Sequence, residues 1–95
     1  MESKVSYKVL DKLRKKHFEF IEHPTIKDVL FMLEKFKGKK IIVYPMGEIK
    51  KPLFNFLITD TNKMTILEDD NDYKNSFLTP KCAFNCGILK CLDVI

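Results

Sequence analysis

Lys4-Val5-Ser6-Tyr7-Lys8-Val9-Leu10-Asp11-Lys12-Leu13-Arg14, residues 4–14, is the stretch on which the fold turns. Val5, Tyr7 and Val9 alternate as the apolar positions of a half-buried strand do. Val5, Val9 and Leu13 also fall on one stripe of a helix. Asp11 to Lys16 then forms either a charged hairpin turn or the last turns of that helix. The pattern alone leaves both open.

The next element is unambiguous. Thr25 is a good N-cap, and Asp28 three residues later can complete a capping box. Ile26, Val29, Leu30, Leu33 and Phe36 recur at the 3–4 spacing of one buried stripe, which predicts a helix over 25–37. Lys35 and Lys37 suit the negative end of the helix dipole, and Gly38 supplies the left-handed residue that ends it. Phe31 lies opposite the stripe, so it marks either a partner contact or a site covered by another element.

Strands are expected on either side. His17 to His23 carries Phe18 and Phe20 on one face, and Pro24 biases His23 toward extended backbone. Ile41 to Tyr44 is a short β-branched run that Pro45 is expected to end. Leu53 to Thr59 and Met64 to Leu67, separated by Asp60-Thr61-Asn62-Lys63, predict a hairpin. Cys86 to Ile95 is a last apolar segment of a length suited to a central strand.

With residues 4–10 as a strand, the order resembles the ubiquitin-like β-grasp. In that family an N-terminal hairpin leads through a Thr- or Ser-capped helix into a mixed sheet that wraps the helix. Here Lys4 to Leu10 and His17 to Glu22 would form the hairpin, Pro24 to Val29 would open the helix, and Gly87 to Val94 would close the sheet. The resemblance implies an α+β fold with about five to six strands on one main helix. It also implies a non-catalytic protein-interaction module. Conjugatable members end in Gly-Gly, whereas this chain ends in Leu92-Asp93-Val94-Ile95, which implies no covalent attachment as it stands. If Ile41 and Val43 face the helix, Ile42 and Tyr44 face outward. The candidate partner contacts are therefore Phe31, Ile42, Tyr44, Lys39 and Lys40.

With a helical opening, a second likeness holds. Leu10 to Pro24, above all Phe18-Glu19-Phe20-Ile21-Glu22-His23-Pro24, is similar to the start of the prolyl-tRNA editing (YbaK-like) domains. Lys51-Pro52-Leu53-Phe54 loosely resembles the strand that carries their catalytic lysine. That likeness implies a reduced or degenerate aminoacyl-tRNA deacylase, with Lys51 as the functional residue. Such domains are longer and carry a glycine-rich substrate loop, whereas this chain has only Gly38, Gly47 and Gly87.

Ninety-five residues make one domain, and eight Phe with three Tyr supply core without disulfides or metals. No stretch reaches the length of apolar sequence that spans a bilayer, and residues 1–4 lack a secretory pattern. Cys82, Cys86 and Cys91 are odd in number, which predicts reduced thiols in a cytoplasmic or nuclear setting. Their spacing is not that of a zinc site, so core packing is the expectation and no cofactor is assigned. His17 and His23, six apart, would share a strand face, whereas Glu19 and Glu22 would point to opposite faces. Glu68-Asp69-Asp70-Asn71-Asp72 lacks the glycine and distal Glu of a calcium loop and reads as a solvated acidic loop.

The net charge of +4 is unevenly spread, with +6 through Lys51 and −2 beyond it. Such a dipolar surface suits docking onto a charged partner. The basic runs near Phe18, Phe20, Tyr44 and Phe54 also admit nucleic acid as a weakly held partner, though no RNA-recognition signature is present.

Overall fold

The computed structural model describes residues 3–20, 22–48, 50–61, 65–69 and 77–93, and in it the opening stretch is a helix. Helix α1 spans Tyr7–Lys15, with the Ser6 hydroxyl accepting from the Val9 N–H as N-cap. Val5, Val9 and Leu13 are all buried, whereas Tyr7 is 77% exposed. The helical stripe wins because Ser6 offers a cap and Lys12, Arg14 and Lys15 sit at the negative end of the dipole.

A Schellman turn ends α1. The Phe18 N–H donates to the Leu13 carbonyl and the His17 N–H to the Arg14 carbonyl. His17 takes the left-handed position with φ of 65°. Beyond it, the described residues up to Pro24, 17–20 and 22–24, form no strand. This stretch is tied to the start of the chain by a Val5 N–H bond to the Pro24 carbonyl and a Lys4–Thr25 bridge.

Helix α2, Ile26–Lys37, follows the sequence reading closely. Thr25 and Asp28 form the full capping box, and Gly38 ends the helix at φ 64°. Ile26, Val29 and Leu33 are buried. Phe36 departs from the expected stripe: it is 68% exposed, and its ring turns toward the Lys35 ammonium in the last helical turn.

Strands β1 (Lys39–Glu48), β2 (Lys51–Asp60) and β3 (Thr65–Asp69) form an antiparallel sheet in the order β1-β2-β3. The expected hairpin is present as β2–β3, with a register shift at Ile58/Thr59. Of its turn, Asn62 and Lys63 lie outside the described residues, as do Asp70 to Asp72 of the acidic run. Pro45 does not end its strand, because β1 lies at the sheet edge, where a missing N–H costs no ladder bond.

Helix α3, Pro80–Asp93, replaces the expected closing strand. The Thr79 hydroxyl accepts from the Cys82 N–H and the Thr79 carbonyl from the Ala83 N–H. Ala83, Ile88, Cys91 and Leu92 are buried, with α3 lying against β1, β2, α1 and α2. Gly87 is the point of closest approach: a Cβ there would stand 2.9 Å from Ile41 Cγ2 and 3.3 Å from the Phe56 ring. Asn85 joins α3 to α1, its Oδ1 accepting from the Ser6 N–H and its Nδ2 donating to the Lys81 carbonyl.

The architecture is α+β, with three helices and three strands among the described residues. The five- to six-stranded sheet of a β-grasp is not what they form, since residues 5–10, 17–20 and 87–93 are helix or irregular chain.

Candidate functional site

Two independent bonds define which way the β1 backbone faces. The Thr61 N–H donates to the Gly38 carbonyl, so Lys39 and Asp60 are a non-hydrogen-bonded pair of the antiparallel ladder. Phe54 exchanges both backbone bonds with Phe77 at 2.8 Å, so the polar groups of Phe54 point away from β1 and its partner Pro45 is also a non-bonded pair. Lys40, Ile42 and Tyr44 therefore direct their N–H and C=O groups to β2. Lys39, Ile41, Val43 and Pro45 direct theirs out of the sheet, and Pro45 stands at a position where it removes no bond to β2.

The same parity places the side chains. Ile41 is buried under Gly87, and Val43 packs on the core. Ile42, on the opposite face, is 38% exposed; Tyr44 is half-buried and Lys40 exposed. The expected outward pair, Ile42 and Tyr44, is thus the pair on the face away from the helices. Lys39 is engaged internally, its ammonium 3.1 Å from Asp60 Oδ2 in a largely buried pair. Phe31 is 62% exposed on α2, with the Lys35 ammonium 5.4 Å from its ring. The structure brings Lys39, Lys40, Ile42 and Tyr44 together on one edge strand and leaves Phe31 on a separate element.

A second feature lies between α1 and residues 17–23. A cleft of about 590 Å³ is lined by Tyr7, Leu10, Arg14 and the returning chain from His17 to His23. His17 and His23 share this cleft without sharing a strand, and Glu19 and Glu22 line it together rather than facing apart. The His23 ring meets Tyr7 edge-on at 5.4 Å. Its Nε2 lies 2.6 Å from the Val5 carbonyl, which can only accept, so Nε2 is the nitrogen that carries the proton in this bond. Among the described residues, no cluster of His, Cys, Asp or Glu is suited to a metal ion.

The three thiols are separate. Cys82 is exposed, Cys86 half-buried and Cys91 buried. Burial pushes the Cys91 thiol up from 9.0 to about 11, opposed by the nearby positive charge of Lys39. A thiol held protonated in this way is a packing group rather than a nucleophile.

The outward backbone groups of Ile41 and Val43 carry no side-chain signature. The signal that could have pointed to them is Pro45, which was read as the end of the run Ile41–Tyr44, whereas a proline within a strand belongs at a sheet edge. Comparison with protein-family models, with curated proteins and with solved structures finds no match.

Proposed function

We propose that the chain is a non-catalytic protein-interaction module that accepts an extended segment of a partner along β1. What supports this reading is an edge that no described strand covers: the outward N–H and C=O groups of Ile41 and Val43 are a template for strand addition. Ile42, Tyr44 and Lys40 beside them supply side-chain contacts on the face away from the helices. Phe31 on α2 is a second contact for a partner large enough to reach it. Val43→Pro tests this directly. It removes an outward donor and no bond to β2; because the Val43 side chain also packs on the core, Val43→Ala serves as the packing control, and partners captured by the wild-type and Val43→Ala chains are expected to be lost in a folded Val43→Pro chain. Unchanged capture by a folded Val43→Pro chain refutes docking along β1.

The cleft favours a second reading. Phe18, Glu19, Phe20, Glu22 and His23 line it, and they belong to the stretch on which the likeness to prolyl-tRNA editing domains rests. The helical opening is also the arrangement that likeness requires. Lys51, the residue carried over by it, lies in β2. Deacylation of a mischarged tRNA that disappears in Lys51→Ala would establish that reading over the first.

A further inference from the structure

Helix α1 turns two stripes in different directions. Val9 and Leu13 are buried in the core, whereas Tyr7, Leu10 and Arg14, at the same three-to-four spacing, line the cleft of about 590 Å³. That volume falls within the range of about 300–1,000 Å³ typical of small-molecule sites. Two contacts fix how the facing chain is laid against the helix. The His17 N–H bonds the Arg14 carbonyl at one end, and the His23 ring meets Tyr7 at the other. Arg14 and His17 therefore stand at one end of the cleft, and Tyr7, Glu22 and His23 at the other. Leu10 lies between these anchors on the helix, and Glu19 and Phe20 lie between them in the facing chain.

The cleft is thus polar in one direction. At the first end a guanidinium suits a carboxylate. At the far end a carboxylate beside the Tyr7 ring suits an ammonium group. In the middle, Leu10 and Phe20 offer apolar surface, and the Glu19 carboxylate can accept from an amide N–H. Among the described residues, the side chains of Arg14, Glu19 and Glu22 make no ion pair, so all three can turn to a ligand. The dipole of α1 runs the other way, with about half a unit charge at each end, and the full charges of Arg14 and Glu22 outweigh it.

We propose that this cleft binds a short peptide with free ends, its amino group at Tyr7 and Glu22 and its carboxylate at Arg14. Length selects the class. Tyr7 and Arg14 are seven residues apart on α1, about 10 Å at 1.5 Å per residue. Three extended residues cover that span at about 3.3–3.6 Å each, and a single amino acid does not. The backbone N–H groups of such a peptide also give Glu19 a donor, which an alkyl chain of the same length would lack.

The test titrates the full, isotope-labelled chain with the tripeptide Ala-Phe-Ala and follows its amide resonances. Those of Tyr7, Arg14 and His23 are expected to shift together. Acetylating the amine or amidating the carboxylate is each expected to weaken binding about tenfold, the scale of one charge-assisted contact. Arg14 and Glu22 are exposed, so Arg14→Gln and Glu22→Gln are expected to stay folded. In Arg14→Gln amidation should no longer matter while acetylation still does, and in Glu22→Gln the reverse. Phenylalanine alone is expected to bind more weakly than the tripeptide. An absence of shifts at those residues overturns the site, and capped peptides that bind as well as the free one reduce it to an apolar groove. Phenylalanine binding as tightly as the tripeptide overturns the span, and an exchange of the two variants' effects overturns the orientation. Binding is read directly, so neither Lys51 nor capture along β1 has any part in the outcome.

Discussion

Gly87→Ala probes how closely α3 rests on the sheet. On an open helix this change is favourable by up to about 1 kcal/mol, because alanine loses less backbone freedom. Here the new methyl would stand 2.9 Å from Ile41 Cγ2 and 3.3 Å from the Phe56 ring, against about 3.5–4.0 Å for relaxed carbon contacts. The Ile41 methyl branches at Cβ, so its χ1 is stiff and it has little room to withdraw. Relief requires α3 to lift, which loosens the buried Ile88, Cys91 and Leu92 on the same helix. Overpacking of this kind costs about 1–3 kcal/mol, so the net expectation is a destabilisation of about 0.5–2 kcal/mol. Urea melts followed by circular dichroism measure it as a lower midpoint at unchanged slope. Ile41→Ala removes the obstructing methyl, so in that background Gly87→Ala is expected to cost less, a coupling of about 1 kcal/mol. An increase in stability on Gly87→Ala in the native background would refute the close approach.

Three further outcomes follow from single positions. His17→Gly relieves a left-handed residue at φ 65°, and thermal melts are expected to show a gain of about 1 kcal/mol; a loss would mean that the imidazole is held by contacts worth more than the strain. The Cys91 thiol ionises near 9.0 when exposed and at about 11 in the fold, so above pH 9 the unfolded chain holds fewer protons and stability falls as pH rises to 11. The contribution of Cys91 to that fall is up to about 2.7 kcal/mol at 1.36 kcal/mol per pH unit, measured as the difference in slope from Cys91→Ala; identical slopes would contradict a buried thiol. Finally, Ile42→Pro deletes a ladder bond to Leu57 whereas Val43→Pro deletes none, so denaturant melts are expected to show Ile42→Pro as the more destabilising by about 1 kcal/mol or more. Each loss is taken relative to the alanine variant at the same position, because Val43 also packs on the core; a larger relative loss for Val43→Pro would show the strand parity to be reversed.

What was legible in the chain follows from how local each signal is. The helix at 26–37 could be bounded because its cap, its box and its glycine stop all act within a few residues. The opening stretch was not decided by pattern because Val5 and Val9 belong to both periods; the discriminating residue was Ser6, a cap whose role shows only once Leu13 is known to be buried. The last helix was hidden because a segment buried against the sheet and two helices is apolar on most sides, like a central strand. Its sequence signal was Thr79-Pro80, an N-cap followed by proline at the first helical position. Alternation showed that Ile42 and Tyr44 share a face, but that this face is the outward one depended on Ile41 and Val43 meeting the helices. The outward backbone of Ile41 and Val43 depends on ladder register, which requires knowing the partner strand, and the cleft depends on the return of residues 17–23 along α1.

Amide hydrogen exchange along β1 tests the open edge most directly. In dilute solution the amides of Ile41 and Val43 are expected to exchange well ahead of those of Ile42 and Tyr44, which are bonded to β2. Equal, strong protection of all four amides at every dilution would mean that the outward groups already have partners within the chain, and that β1 offers no edge to dock on.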